Sequence, residues 1–242
     1  MELKEYILMR KLEDNHWWFV SKRQYAKTVL NLIKLSKKSK ILDIGCGTGK
    51  NLEMLSNFGQ AQGVDYSTSA VKFCHQRGLK KVKKASLIKL PFKADSFNLV
   101  TLFDVLYHKG VKSDSKALKE VNRVLKSSGH LLITDCAHQF LYGPHDISMH
   151  ARQRYSKKEL ITKVTQAGFS IQKASYIYFI TFPLFFINRL MSRYLTKKSG
   201  SDVGKVNSII NKLLINLLFF ESKLLKFINL PVGSSIIIMA QK

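Results

Sequence analysis

The residues Leu42-Asp43-Ile44-Gly45-Cys46-Gly47-Thr48-Gly49 place glycines at G-x-G-x-G spacing, behind a short apolar run and ahead of a helix-like stretch. Glycine admits positive φ and lets the backbone approach a ligand closely. The helix that follows offers free N–H groups and the positive end of its dipole. Such a loop cradles a pyrophosphate, as in dinucleotide sites, or a carboxylate. Two details favour the carboxylate. The spacing is not G-x-G-x-x-G, and Asp43 stands two residues before the first glycine, where an acid suits an ammonium group. Asp65 ends a second short run, Gln62-Gly63-Val64-Asp65. A carboxylate there can accept from both hydroxyls of a ribose. Further along, His145-Asp146-Ile147-Ser148-Met149-His150-Ala151-Arg152-Gln153-Arg154-Tyr155 gathers His, Arg and Tyr in the mixture that binds a phosphate or carboxylate. Its other reading is a solvated loop.

These residues need a frame. Lys40–Ile44, Gln62–Asp65, Val82–Ala85, Phe97–Phe103, His130–Asp135, Phe169–Tyr176 and Ser234–Ala240 read as strands. Helices are expected over 50–58, 67–77 (capped by Ser67 or Ser69), 114–126 and 156–167, with Ser127-Ser128-Gly129 ending the third. Ser156 and Glu159 form a capping-box pattern. Strands alternating with helices at this rhythm predict a parallel sheet covered on both faces. Residues 1–36 read as helical around the cluster His16-Trp17-Trp18-Phe19.

The chain has 242 residues, enough for one well-buried domain. Lys+Arg 40 against Asp+Glu 16 gives a net charge of +24, which favours anionic partners: nucleic acid, lipid headgroups or a phosphorylated substrate. A solvated basic surface is the plain alternative. Cys46, Cys74 and Cys136 are widely spaced, so no disulfide framework and no metal site is expected, and a cytoplasmic setting is the simplest reading. The N-terminus has no apolar run of a signal peptide.

Ile41–Gly49 resembles motif I of class I S-adenosylmethionine-dependent methyltransferases. Gly63-Val-Asp-Tyr-Ser67 resembles their second motif, Leu90–Val100 their LPF element, and Leu118–Leu132 the helix–turn–strand that follows. The outer segments His16–Phe19, His150–Tyr155 and Phe182-Pro183 resemble those of a methyltransferase type 11-like subgroup. The resemblance implies an α/β, Rossmann-like three-layer sandwich whose seven-stranded sheet has an antiparallel last strand between the fifth and sixth. It implies S-adenosylmethionine as cofactor and S-adenosylhomocysteine as product. Gly45, Cys46, Gly47 and Gly49 are expected to line the methionine part, with Asp43 near its ammonium. Asp65 is expected to hold the ribose and Tyr66 to pack on the adenine. Ser86 stands where relatives often have an acid, Leu87 offers its backbone N–H, and Phe103 passes beside the cofactor.

Methyl transfer mainly requires that the acceptor be positioned, and an oxygen or nitrogen acceptor also loses a proton. His108 is the first candidate base and His150 the second. Trp17, Trp18, Arg23, Tyr107, His145, Arg152, Arg154 and Tyr155 are the candidate acceptor residues; Trp17 and Trp18 serve either as a lid or as a staple between helices. The expected divisions are a helical lid over 1–36, a core over 37–176 and 231–242, and an apolar helical insertion over 177–230, with an amphipathic helix over 205–229. Three roles stand open for the insertion: a buried subdomain, a surface resting on a membrane, and a dimer interface. The expected acceptor is an oxygen of a small molecule or of a lipid- or glycan-linked one, anionic acceptors among them, on an enzyme that is cytoplasmic or peripheral at the inner face of a membrane. RNA or protein methylation and a catalytically silent scaffold are the alternatives.

Overall fold

The computed structural model describes residues 2–195, 204 and 206–242. The parts of the expected insertion at 196–203 and 205 lie outside them. A seven-stranded sheet runs in the order β3-β2-β1-β4-β5-β7-β6. Its strands are β1 (Lys40–Ile44), β2 (Gln60–Asp65), β3 (Val82–Lys84), β4 (Phe97–Phe103), β5 (Leu125–Cys136), β6 (Ser170–Ile177) and β7 (Ser235–Gln241). β1 to β5 pair parallel, and β7 runs antiparallel to both β5 and β6, as the resemblance implies.

Period-two alternation sorts the core onto two faces. Leu42, Ile44, Leu131, Ile133, Ile236 and Ile238 turn to one cluster. There Ala117, Leu118 and Val121 of α5 (Asp114–Val124) and Leu160 and Val164 of α7 (Lys157–Gln166) meet them. Ile41, Leu99, Leu132, Ile237 and Met239 turn to the other. Tyr25 and Val29 of α2 (Trp17–Leu30) and Leu218 and Leu225 from or just after α9 (Ser208–Leu224) cover that side. The remaining helices are α1 (Leu3–Leu12), α3 (Lys50–Leu55), α4 (Thr68–Gln76), α6 (Pro144–Ser148) and α8 (Phe182–Leu195).

Local signals hold at several ends. Ser67 accepts from Ala70 N and Ser156 from Glu159 N, so both cap helices as their positions predict. Three expected boundaries move. α5 stops at Val124 rather than 126, and Ser127–Gly129 belongs to β5 instead of ending a helix. The sheet captures this segment: Leu125 pairs with Phe97, and Lys242 N donates to Gly129 O. α3 ends at Leu55, because Asn57 and Phe58 turn back onto Met54 and Leu55 and let Gly59 come close to Ser39. α9 ends at Leu224, beyond which Leu230 N reaches Ser175 Oγ. The short α6 carried no periodic signal in the sequence.

One buried acid fixes α9 on α2. Glu221, 1% exposed, accepts from Tyr25 Oη at 2.8 Å, Phe179 N at 2.9 Å and Ile180 N at 2.8 Å. Removing it strands a buried hydroxyl and two part-buried backbone N–H groups. Glu221→Ala is expected to lower unfolding free energy by about 3 kcal/mol in chemical denaturation. A loss below about 1 kcal/mol would show that the three donors find other partners.

Candidate functional site

The strand order reverses between β1 and β4, and a crevice opens beyond the carboxyl ends of the strands at that point. A cavity of about 990 Å³ occupies it. The glycine loop leaves β1 directly into this space. Gly45 N and Cys46 N both donate to Val64 O, folding the loop over the end of β2. Gly45 and Gly47 take φ of +72° and +54°. A Cβ on Gly45 would lie 2.6 Å from Val105 Cγ2, so only glycine fits there.

Asp65 binds the loop from below. Its Oδ2 accepts from Gly47 N at 3.0 Å and its Oδ1 from Ser67 N at 2.8 Å. It lines the cavity while 8% exposed, and burial pushes its carboxyl up despite those two bonds. Tyr66 is 76% exposed at the rim, with Lys84 Nζ 6.0 Å from its ring centroid. Ser86, Leu87, Cys46 and Phe103 also line the cavity. Asp43 and Gly49 do not. Gly49 is the left-handed N-cap of α3, packed on Leu79 and Cys74. Asp43 sits beneath the loop, 1% exposed; Thr101 Oγ1 donates to its Oδ1 at 2.7 Å, and its Oδ2 has no hydrogen-bond partner. Burial pushes its carboxyl up to about 7. A nucleoside carrying an amino-acid tail fits this arrangement: a glycine cradle, a ribose-height carboxylate, and a buried acid with an unused oxygen. Of the expected cofactor residues, the fold brings Gly45, Cys46, Gly47, Asp65, Tyr66, Ser86, Leu87 and Phe103 to the cavity wall.

The N-terminal helices form the opposite wall. Tyr6, Met9, Leu12 and Glu13 line the cavity, as do Trp18, Phe19, Lys22 and Arg23. Glu13 pins this wall to the glycine loop: Thr48 Oγ1 donates to its Oε2 at 2.6 Å, and Arg77 pairs with Oε1. Arg23 Nη2 donates to Glu13 O at 2.5 Å, so it braces the wall from inside the chain. Lys22 is ion-paired with Asp104, which follows β4 at a φ of +56°. Trp18 stacks on Tyr178 at 4.2 Å, and Lys22 Nζ lies 4.9 Å from its ring centroid. Trp17 is not on the cavity wall; it meets Trp18 and Tyr178 edge-on, and its N–H donates to Asn211. Glu13, Thr48, Lys22, Arg77 and Asp104 were not singled out in the sequence, because each acts through a partner far away in the chain.

Tyr107, His108, His145 and His150 come together on the cavity wall. Arg152, Arg154 and Tyr155 do not, which corrects their expected role at the acceptor. Arg154, 5% exposed, is bound by Asp146 at 2.8 Å and 3.1 Å. Arg152 is ion-paired with Asp114 and donates to Tyr155 Oη, whose own proton goes to Leu106 O at 3.1 Å. Arg152 and Tyr155 brace the loop that carries Tyr107 and His108, while Arg154 ties Asp146 to Ala137 O. His108 is also not placed as a base. Gly110 N donates to its Nδ1 at 3.0 Å, so the neutral ring carries its proton on Nε2. Burial pulls its pKa down to about 4. The ring is thus a neutral N–H donor at physiological pH, stacked 6.1 Å from His150. Cys46 and Cys74 are free thiols with sulfurs 3.9 Å apart.

Residues 42–133 match a family model described as a methyltransferase domain. An uncharacterised protein of Methanocaldococcus jannaschii is 42% identical over 39% of this chain and 36% of its own length. A tRNA (carboxymethyluridine(34)-5-O)-methyltransferase of Arabidopsis thaliana is 32% identical over 46% of this chain and 27% of its own. The chain thus spans well under half the length of these curated relatives. Among solved structures, an S-adenosylmethionine-dependent methyltransferase of Thermotoga maritima superposes with a TM-score of 0.60 at 17% identity, covering 99% of this chain and 95% of that one.

Two measurements check the site. Asp65→Ala is expected to weaken binding of S-adenosylhomocysteine by roughly tenfold to a hundredfold in calorimetry; unchanged affinity would remove Asp65 from the ribose. Asp43 is half protonated near pH 7, so an ammonium brought near it displaces a proton. Binding of the same ligand at pH 6.5 is therefore expected to release protons, seen as an enthalpy that depends on the buffer's ionisation heat. Asp43→Asn should abolish that dependence; a wild type without it places the ammonium elsewhere.

Proposed function

We propose that the chain is a class I S-adenosylmethionine-dependent methyltransferase that methylates an oxygen of an anionic small or lipid-linked molecule, a reading supported by the methyltransferase-domain match over residues 42–133 and by the shared fold. The cofactor supplies a methyl group on a positively charged sulfur. What remains for the protein is to hold the acceptor in line with it.

The observation that carries the reading is the character of the wall around His108. Gly110 N occupies the Nδ1 lone pair, which leaves the neutral ring's proton on Nε2. Lys22, Lys109 and Lys112 line the same cavity, with Tyr107 and His145. A donor and cations hold an acceptor oxygen that is already negative or becomes so easily, such as a carboxylate, phosphate or acidic hydroxyl. An oxygen of that kind needs no strong base, and His108, with a pKa near 4, is a weak one. Asp104 is held by Lys22 and Thr134 and shapes the end of β4.

A second reading is supported by one relative and one property of the chain. The Arabidopsis protein is named for methylation of an oxygen on a tRNA base modification, and the present chain carries a net charge of +24. An RNA acceptor would use the same donor wall with a larger basic surface around it.

Incubation with methyl-labelled S-adenosylmethionine and an extract of source cells separates the readings. Label is expected in the small-molecule or lipid fraction; label in RNA would install the second reading, and no label with the cofactor bound would leave a binding protein. On the acceptor so found, His108→Gln, which keeps an N–H donor, is expected to retain more turnover than His108→Ala. Equal losses would remove the donor role.

A further inference from the structure

α9 is apolar on two sides. Leu218 is fully buried on the sheet side, with Glu221 and Ser222 beside it. On the other side Ile210, Leu213, Leu217, Phe220 and Leu224 recur at three- and four-residue spacing and remain 41% to 64% exposed. Phe227 and Ile228 extend this stripe past the helix end, at 83% and 50% exposure. Phe179 and Ile180, each 39% exposed, are held against the same helix by their bonds to Glu221. An exposed apolar surface of this extent on a soluble fold marks an interaction face.

Charge selects the occupant. Between 206 and 230 the exposed charges are Lys212, Lys223 and Lys226, and the single acid, Glu221, is buried. Lys223 Nζ lies 4.2 Å from the Phe219 ring centroid and 5.7 Å from that of Phe220, with its stem along the aromatic surface and its charge at the edge. A second copy of the chain would bring the same lysines, and another net +24, against this stripe. An anionic lipid surface complements both components. No described helix is long and apolar enough to cross a membrane, whereas a helix of 17 residues, about 25 Å long, can lie in the interface.

We infer that α9, with the Phe179–Ile180 turn, is a peripheral docking face for an anionic bilayer surface: its apolar side chains enter the acyl boundary and Lys212, Lys223 and Lys226 meet the headgroups. This goes beyond the proposed reaction, since a docked enzyme can act on a soluble or a lipid-linked acceptor.

The test is co-sedimentation of the full chain with vesicles of phosphatidylcholine alone or mixed with phosphatidylglycerol, without cofactor or acceptor. Binding is expected to the anionic vesicles, and to weaken as salt is raised. The Leu213→Ser/Phe220→Ser variant and the Lys212→Gln/Lys223→Gln/Lys226→Gln variant are each expected to lose affinity on the order of a hundredfold. Both should keep the wild-type melting temperature and S-adenosylhomocysteine affinity. Wild-type protein that stays in the supernatant, binds neutral vesicles equally, or binds as before in both variants overturns the inference. So does a dimer in sedimentation equilibrium that Leu213→Ser/Phe220→Ser dissolves while vesicle binding is absent. None of these outcomes touches the methyl-transfer reading, which the labelled-cofactor experiment decides separately.

Discussion

The carboxylate of Asp65 is the constraint on which the site depends. One side chain, at the end of β2, accepts from the loop that leaves β1 and from the turn that opens α4. The backbone one residue earlier, Val64 O, takes Gly45 N and Cys46 N. The glycine loop therefore has no freedom to lift away from the sheet, and its curl leaves a crevice instead of a filled turn. The cost is a charge withdrawn from water, visible as the raised Asp65 carboxyl. Two backbone N–H groups offset part of that cost and leave the other lone pairs for donors arriving from the cavity.

The N-terminal wall is built on the same loop. Thr48, one residue past Gly47, donates to Glu13, and Arg77 from just beyond α4 pairs with the same carboxylate. Arg23 then ties α2 to the Glu13 backbone, while Lys22 reaches across to Asp104. Two largely buried ion pairs thus set how far α1 and α2 stand from the sheet, and so how wide the cavity is. Buried pairs of this kind contribute little net stability but cost about 3–5 kcal/mol when one partner is removed. Their value here is geometric: they place Trp18 and Phe19 over the crevice without an apolar plug that would fill it.

What was legible in the sequence follows from how far each interaction reaches. The strands, their burial alternation and the glycine loop with Asp65 obey rules that operate within a few residues, and six of the seven strands lie within two residues of their expected limits. β5 began five residues early because its first residues are held by Phe97 and Gly129 by Lys242, partners outside any local window. The acceptor wall was far less legible. Arg152 and Arg154 look in sequence like anion-binding arginines, and only the positions of Asp114 and Asp146 show them to be braces. His108 looks like a base until Gly110 N is seen on Nδ1. Glu13 and Lys22 carry no local signal, since their partners Arg77 and Asp104 are 64 and 82 residues away.

α9 shows how one polar residue settles what hydrophobicity leaves open. A helix apolar on both sides has no preferred rotation from burial alone, because either face could be turned to the sheet. Glu221 removes the ambiguity. Its carboxylate must find donors, and Tyr25 Oη, Phe179 N and Ile180 N converge at one place on the covered side. Turning the helix by half a turn would leave that acid in solvent and all three donors unpaired, several kcal/mol in total. Leu213, Leu217 and Phe220 therefore face outward because Glu221 must face inward. The outward stripe is in this sense specified by the fold, and is not an accident of a loosely placed helix.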